Sequence, residues 1–166
     1  TVANPVKQSG RFVQLAEKVV APETIANDPP TLPATPPRRD RKVWELPPTA
    51  GADAIQQAID QAARLSGSHP VVHLPKGTYK IDRTLVVPAG CDVQVLGDGA
   101  AETATVLQWT GQGGGPIFRL SGPSRATLRD LSLQSGRASG IVIEKCDQPG
   151  GKIFCDQLNV SGMSPN

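Results

Sequence analysis

A chain of 166 residues with 38% hydrophobic residues and 17 glycines has the apolar content of a globular protein, which excludes disorder throughout. Seventeen basic against fifteen acidic residues leave a net charge of +2, too weak a field to imply nucleic acid, and no window approaches the ~20 apolar residues of a membrane span. With two Trp, one Tyr and three Phe, any core must be built from Val, Leu, Ile and Ala.

The chain opens at Thr1 without a charged-then-apolar leader and reads as a mature or excised segment. Phe12 to Val20 (FVQLAEKVV) fits a short helix or a strand equally well. Eight of the sixteen prolines then fall between Pro22 and Pro48, so this stretch cannot be a helix interior or a central strand. Its run Arg38-Arg39-Asp40-Arg41-Lys42 reads as a solvated linker rather than a polyanion site, because no aromatic is interleaved. Residues 1–48 are therefore expected to be a Pro-rich extension and 49–166 the folded part.

Asp53-Ala54-Ile55-Gln56 reads as a capping box, Asp53 accepting from first-turn amides while Gln56 reaches back. Ile55, Ala58, Ile59, Ala62 and Leu65 recur at helical spacing, which predicts an amphipathic helix from Ala54 to Leu65, stopped by Gly67. After Gly67 the period changes. Short β-branched and Leu-rich runs follow, from VVHLP (71 to 75) to KIFCDQLNVSG (152 to 162), separated by Gly, Pro, Asn or Asp. That is an all-β signal.

Two of these runs align with each other. Leu128-Arg129-Asp130-Leu131-Ser132-Leu133 matches Cys155-Asp156-Gln157-Leu158-Asn159-Val160 at an offset of 27 residues. Asp92-Val93-Gln94-Val95 matches the part from Asp130 to Leu133, 38 residues earlier. A period of this size, made of strands and turns, predicts a solenoid in which like residues stack. Leu131 over Leu158 and Leu133 over Val160 would face the core.

The succession AIQQAIDQAA, VVHLPKGTYKID, TLVVPAGCDVQVLGDG and TVLQW resembles the start of the pectate-lyase-like right-handed parallel β-helix proteins. It is most similar to the branch with rhamnogalacturonase, exo-β-1,3-glucanase and epimerase-type members. The resemblance spans about Gly51 to Gly162. One departure is that VWELPPTAGAD stands where the family commonly has Phe-Gly-Ala-Lys-Gly-Asp-Gly. The resemblance implies an all-β, right-handed parallel β-helix whose first coils are covered by an N-terminal helix. It also implies an extracellular or periplasmic protein acting on polysaccharide, as a lyase or glycoside hydrolase. No cap is visible at Ser164-Pro165-Asn166, so truncation is expected, with catalytic residues beyond this segment and no turnover by the segment itself. The alternative is a non-catalytic, polysaccharide-binding or structural β-helix of adhesin or tailspike type. No cofactor is evident, and Ca2+ enters only if the parent is a lyase.

Candidate site residues follow from the aligned runs. The outward positions Gln94, Ser132 and Asn159 could hydrogen-bond sugars but cannot move a proton at neutral pH. Asp130 and Asp156 are the weak catalytic candidates, since hydrolysis needs paired carboxylates. Their duller roles are a tight bend shared by Asp92, Asp130 and Gln157, and an exposed cross-strand ion pair of Arg129 with Asp156. Asp98, between two glycines, reads as a turn residue, and His73 as a satisfied strand histidine. Gly111 to Gly115 is a turn, lacking the Lys-Ser/Thr of a phosphate loop. Glu144, Lys145 and Asp147 read as surface. Asn159-Val160-Ser161 is a glycosylation sequon, meaningful only in a secreting eukaryote. Cys91, Cys146 and Cys155 lack metal spacing and read as buried reduced thiols rather than a disulfide with one thiol over.

Overall fold

The computed structural model describes residues 40–135, 140–145 and 147–162, and the backbone of 6–8 and 11–13. The chain forms two compact units, Thr1–Arg38 and Arg39–Asn166. In the first, β1 (Val6–Gln8) and β2 (Arg11–Val13) pair antiparallel, so Phe12 lies in a strand. The remainder of FVQLAEKVV, the prolines up to Pro37 and the pair Arg38-Arg39 lie outside the described residues.

The second unit begins earlier than residue 49. Strand β3 (Val43–Glu45) pairs in parallel with β4 (Val71–Leu74), and Trp44 packs against the core. Helix α1 (Ala52–Ala63) follows, two residues earlier at each end than its apolar spacing predicts. Its N-cap is Gly51, and no side chain caps it. The expected capping box is therefore corrected. Asp53 pairs instead with Arg83, and Gln56 reaches Val86, donating to its carbonyl at 2.9 Å and accepting from its amide at 2.7 Å. Asp53 finds its partner in the bend between β5 and β6 and Gln56 finds its own on β6, and those partners win over their own helix end.

The remaining strands are β5 (Gly77–Ile81), β6 (Leu85–Val87), β7 (Gln94–Gly97), β8 (Thr105–Trp109), β9 (Phe118–Ser121), β10 (Thr127–Gln134), β11 (Ile141–Glu144) and β12 (Phe154–Ser161). One sheet runs β3-β4-β7-β10-β8-β5 with β12 also on β10, and a smaller one runs β11-β9-β6. Every ladder in both is parallel.

The expectation of an all-β right-handed parallel β-helix is corrected. The unit is of mixed α/β character, parallel sheets of ten strands (β3 to β12) with one helix among the described residues. The helix is part of the core, not a lid on an all-β body. Ile55, Ile59 and Ala62 are fully buried in one cluster with Val72, Leu74, Tyr79, Ile81, Leu85 and Val87. Nor is there one uniform repeat, since paired residues are as close as Val71 and Gln94 or as far apart as Gln94 and Thr127.

Register explains where the sequence alignment slipped. Leu131 pairs with Leu158 and Leu133 with Val160, as the 27-residue offset predicts. Asp92 to Val95, however, does not lie beside Asp130 to Leu133. Gln94 pairs with Thr127, while Ser132 pairs with Val106. β10 passes its bend through one left-handed residue, Asp130 (φ 58°), and β12 does so through Gln157 (φ 50°). The preceding layer makes the same bend with a whole loop between Gly97 and Thr105, so β10 lies along β7 first and β8 afterwards. Gly97 is required there, because a Cβ would run into the Asp130 carbonyl and the Leu131 side chain.

Candidate functional site

Side chains alternate along a strand, so a sheet with Val72, Leu74, Val95 and Leu128 buried beneath it turns its other positions outward. On this outward face the parallel registers line up two rows. One is Val43, Val71, Gln94, Thr127 and Phe154; the next is Glu45, His73, Leu96, Arg129 and Asp156.

Beside the first row lies an open groove of about 610 Å3, lined by His69, Arg125, Thr127, Gly150, Gly151, Lys152 and Phe154. Lys152 follows the Gly150-Gly151 turn, and its amide donates to the Ser124 carbonyl at 2.7 Å, which places it next to Arg125. Phe154 is 50% exposed because no described strand lies beyond β12. His69 takes a left-handed conformation (φ 51°), held by Asp92, whose Oδ2 accepts from the Gly67 and His69 amides at 2.8 and 3.0 Å. Asp92 is thus a loop anchor rather than the bend residue expected beside Asp130. Arg41 donates to Gln94 Oε1 at 3.2 Å, and Gln94 donates to the His69 carbonyl at 3.0 Å. The His69 ring lies against Asp92, its Nδ1 3.4 Å from Oδ2, so the groove offers the Arg125 and Lys152 side chains as its cations, with a hydroxyl and an aromatic ring beside them.

The second row carries a bridge that sequence reading missed. His73 Nδ1 meets Glu45 at 2.8 Å and its Nε2 meets Asp98 Oδ1 at 3.0 Å, tying β3, β4 and the turn after β7 together. Asp98 also accepts from the Lys76 amide at 2.8 Å, and its own amide donates to Thr105 Oγ1. Burial alone would pull the His73 pKa down, but the hydrogen bonds and charges of Glu45 and Asp98 outweigh it and hold it above 6.5. The Lys76 amide, and then His73, hold Asp98 below the usual carboxylate value. Burial, with these carboxylates nearby, pushes the Tyr79 hydroxyl up to about 12. With both ring nitrogens occupied, His73 has no lone pair to serve as a base in this arrangement. The signal was present in the sequence: Glu45 stands 28 residues before His73, but VWELPP was assigned to the extension.

The sequence-predicted residues are only partly brought together. Arg129 Nε lies 3.1 Å from Asp130 Oδ2 and 3.3 Å from Asp156 Oδ2, so the expected cross-strand pair is present and engages both weak catalytic candidates. Ser132 and Asn159 are neighbours on β10 and β12, but Gln94 belongs to the groove row, and Ser132 is fully buried. Gln94, Ser132 and Asn159 therefore do not form one outward strip. Val160, expected in the core, is 51% exposed at the last described strand. Cys91 is buried, whereas Cys155 is exposed, correcting its expected burial; both are free thiols, and Cys146 lies outside the described residues. Gly111 and Gly115 pack against the Trp109 ring, whose Nε1 donates to the Gly113 carbonyl, so that segment is a turn over an indole.

Among the described residues, no group of three His, Cys, Asp or Glu side chains is placed to hold a metal ion. No helix there is long and apolar enough to cross a membrane. Comparison with known families, curated proteins and solved structures finds no match.

Proposed function

We propose that this chain belongs to an extracellular or periplasmic polysaccharide-active protein and grips an acidic polysaccharide in the groove of its outward sheet face. The observation that carries this reading is the convergence of His69, Arg125 and Lys152 around a half-exposed Phe154 and the Thr127 hydroxyl. A guanidinium and an ammonium match the carboxylates of uronates, and an aromatic ring packs against the C–H face of a pyranose. Binding is favoured over turnover because Asp130 and Asp156 are already engaged by Arg129. Lyase or hydrolase chemistry is therefore assigned to other groups.

The test is retention on immobilised polygalacturonate, with a neutral β-1,3-glucan as control. The wild-type chain should be retained on the acidic polymer, be released by salt, and pass through the neutral one. Arg125→Gln with Lys152→Gln should weaken binding about tenfold or more. Retention on the neutral glucan alone, or retention that ignores both substitutions, would contradict the proposal.

A further inference from the structure

The parallel register continues ahead of the strands. The amides of Val71, Gln94, Thr127 and Phe154 donate to the carbonyls of Lys42, Pro70, Val93 and Ala126 at 2.9, 2.9, 3.0 and 2.9 Å. The residues two places before the first outward row therefore form a row of their own, Arg41, His69, Asp92, Arg125 and Lys152. Asp92 is 3% exposed, and its Oδ2 holds the Gly67 and His69 amides. The exposed charges of this row are thus the cations Arg41, Arg125 and Lys152.

Arg41 stands just before the edge strand β3, yet its guanidinium does not stay there. It reaches over β4 to β7, where Nη1 donates to Gln94 Oε1 at 3.2 Å. Gln94 is itself held, its Nε2 donating to the His69 carbonyl at 3.0 Å. Gln94 pairs with Thr127, which lines the groove, so the tether stands one strand spacing, ~4.8 Å, from the groove's own strand. Among the described residues no carboxylate pairs with Arg41, and its single hydrogen bond leaves the other N–H donors for an incoming anion.

We infer that Arg41, positioned by Gln94, is a third cationic subsite that makes the saccharide lie across the strands, over β7, β10 and β12. The inference rests on the acidic-polysaccharide reading above. A pyranose unit is close to one strand spacing in length, so a chain laid this way brings carboxylates to Lys152, Arg125 and Arg41. A chain laid along the strands meets the second row instead. There the carboxylates of Glu45, Asp98, Asp130 and Asp156 outnumber Arg129 and His73, and like charge repels it. Arg41 and Gln94 thereby select for length: a disaccharide meets two cations, and a longer oligomer meets all three.

The experiment is calorimetric titration of the full chain with digalacturonate and with tetragalacturonate, alongside thermal melting. Arg41→Gln should lose about tenfold in affinity for the tetramer and nothing for the dimer, at an unchanged melting temperature. Gln94→Ala leaves Arg41 charged but untethered. It should show the same selective loss at smaller size, and add nothing to Arg41→Gln in the double variant. A Gln94 with only a structural role would weaken both oligomers alike and weaken Arg41→Gln further. Wild-type tetramer affinity in Arg41→Gln, or an equal loss for dimer and tetramer, would overturn the third subsite. If that happens while Arg125→Gln with Lys152→Gln still weakens binding, the groove reading stands without Arg41. If the wild type binds neither oligomer, the groove reading fails and the Arg41 subsite with it.

Discussion

The two margins of the parallel sheets are built from similar side chains and end in different states. At one, α1 lies over β4, β5 and β6, and Ile55, Ile59, Leu74, Tyr79, Leu85 and Val87 are fully buried. There Gln56 also meets both backbone groups of Val86, as a neighbouring strand would. At the other, β11 and β12 leave Ile143, Phe154 and Val160 about half exposed, although Val160 stands in register over fully buried Leu133. An inward position in a parallel ladder is buried only when something lies on both sides of it. The sequence of one strand therefore does not decide its own burial.

The largest expected effect separates the two margins directly. Ile59→Ala, at a fully buried position of α1, should cost about 2–5 kcal/mol in urea unfolding. Ile143→Ala, at a position 52% exposed, should cost under about 1 kcal/mol. Equal losses would mean that the contrast between the margins is wrong.

Gln56 offers a finer cut at the covered margin. Gln56→Ala strands a part-buried amide and carbonyl of Val86 and should cost about 1–3 kcal/mol. Gln56→Glu still accepts from the amide but cannot donate to the carbonyl, and should fall between. An alanine variant as stable as the wild type would show that the helix contributes only its apolar face.

The His73 bridge ties β3 to the sheet and makes its hold depend on pH. His73 is raised above its ordinary 6.5, so its contribution is complete below that value and is lost as pH rises through the higher folded value. Asp98 is lowered, so its contribution is present above 3.8 and fades as pH falls through the lower folded value. The bridge should thus stabilise most between pH 3.8 and 6.5, and the melting temperature should decline as pH rises above 6.5. His73→Gln should flatten that decline. An unchanged slope in the variant would assign the pH dependence elsewhere.

The smallest effect is expected at Arg129 and Asp156, whose side chains are 51% and 38% exposed. A double-mutant cycle should give a coupling of about 0.2–1 kcal/mol. A coupling of several kcal/mol would mark the pair as functional or buried in an assembly.

What could be read from the sequence divides along the same physical line. The apolar period of α1, the parallel neighbourhood of β10 and β12, and the Arg129–Asp156 pair all follow from local spacing and one repeat. The all-β class did not hold, because the helix was read as a cover and is in fact core. The sugar-facing strip did not hold together, because a loop after Gly97 does in one layer what Asp130 does alone in the next. The groove was not legible at all. His69, Arg125 and Lys152 are far apart in the chain and unremarkable singly, and only the register of β4, β7, β10 and β12 brings their flanks together.

The central claim is that an acidic saccharide occupies the groove at the β12 side and leaves the helix-covered margin untouched. Backbone amide spectra of the nitrogen-labelled chain, titrated with tetragalacturonate, test it residue by residue. The account predicts shifts at Thr127, Gly150, Gly151, Lys152 and Phe154, with Ile55, Ile59 and Val86 unmoved. Shifts confined to α1 and β6, or none at saturating saccharide, would contradict it.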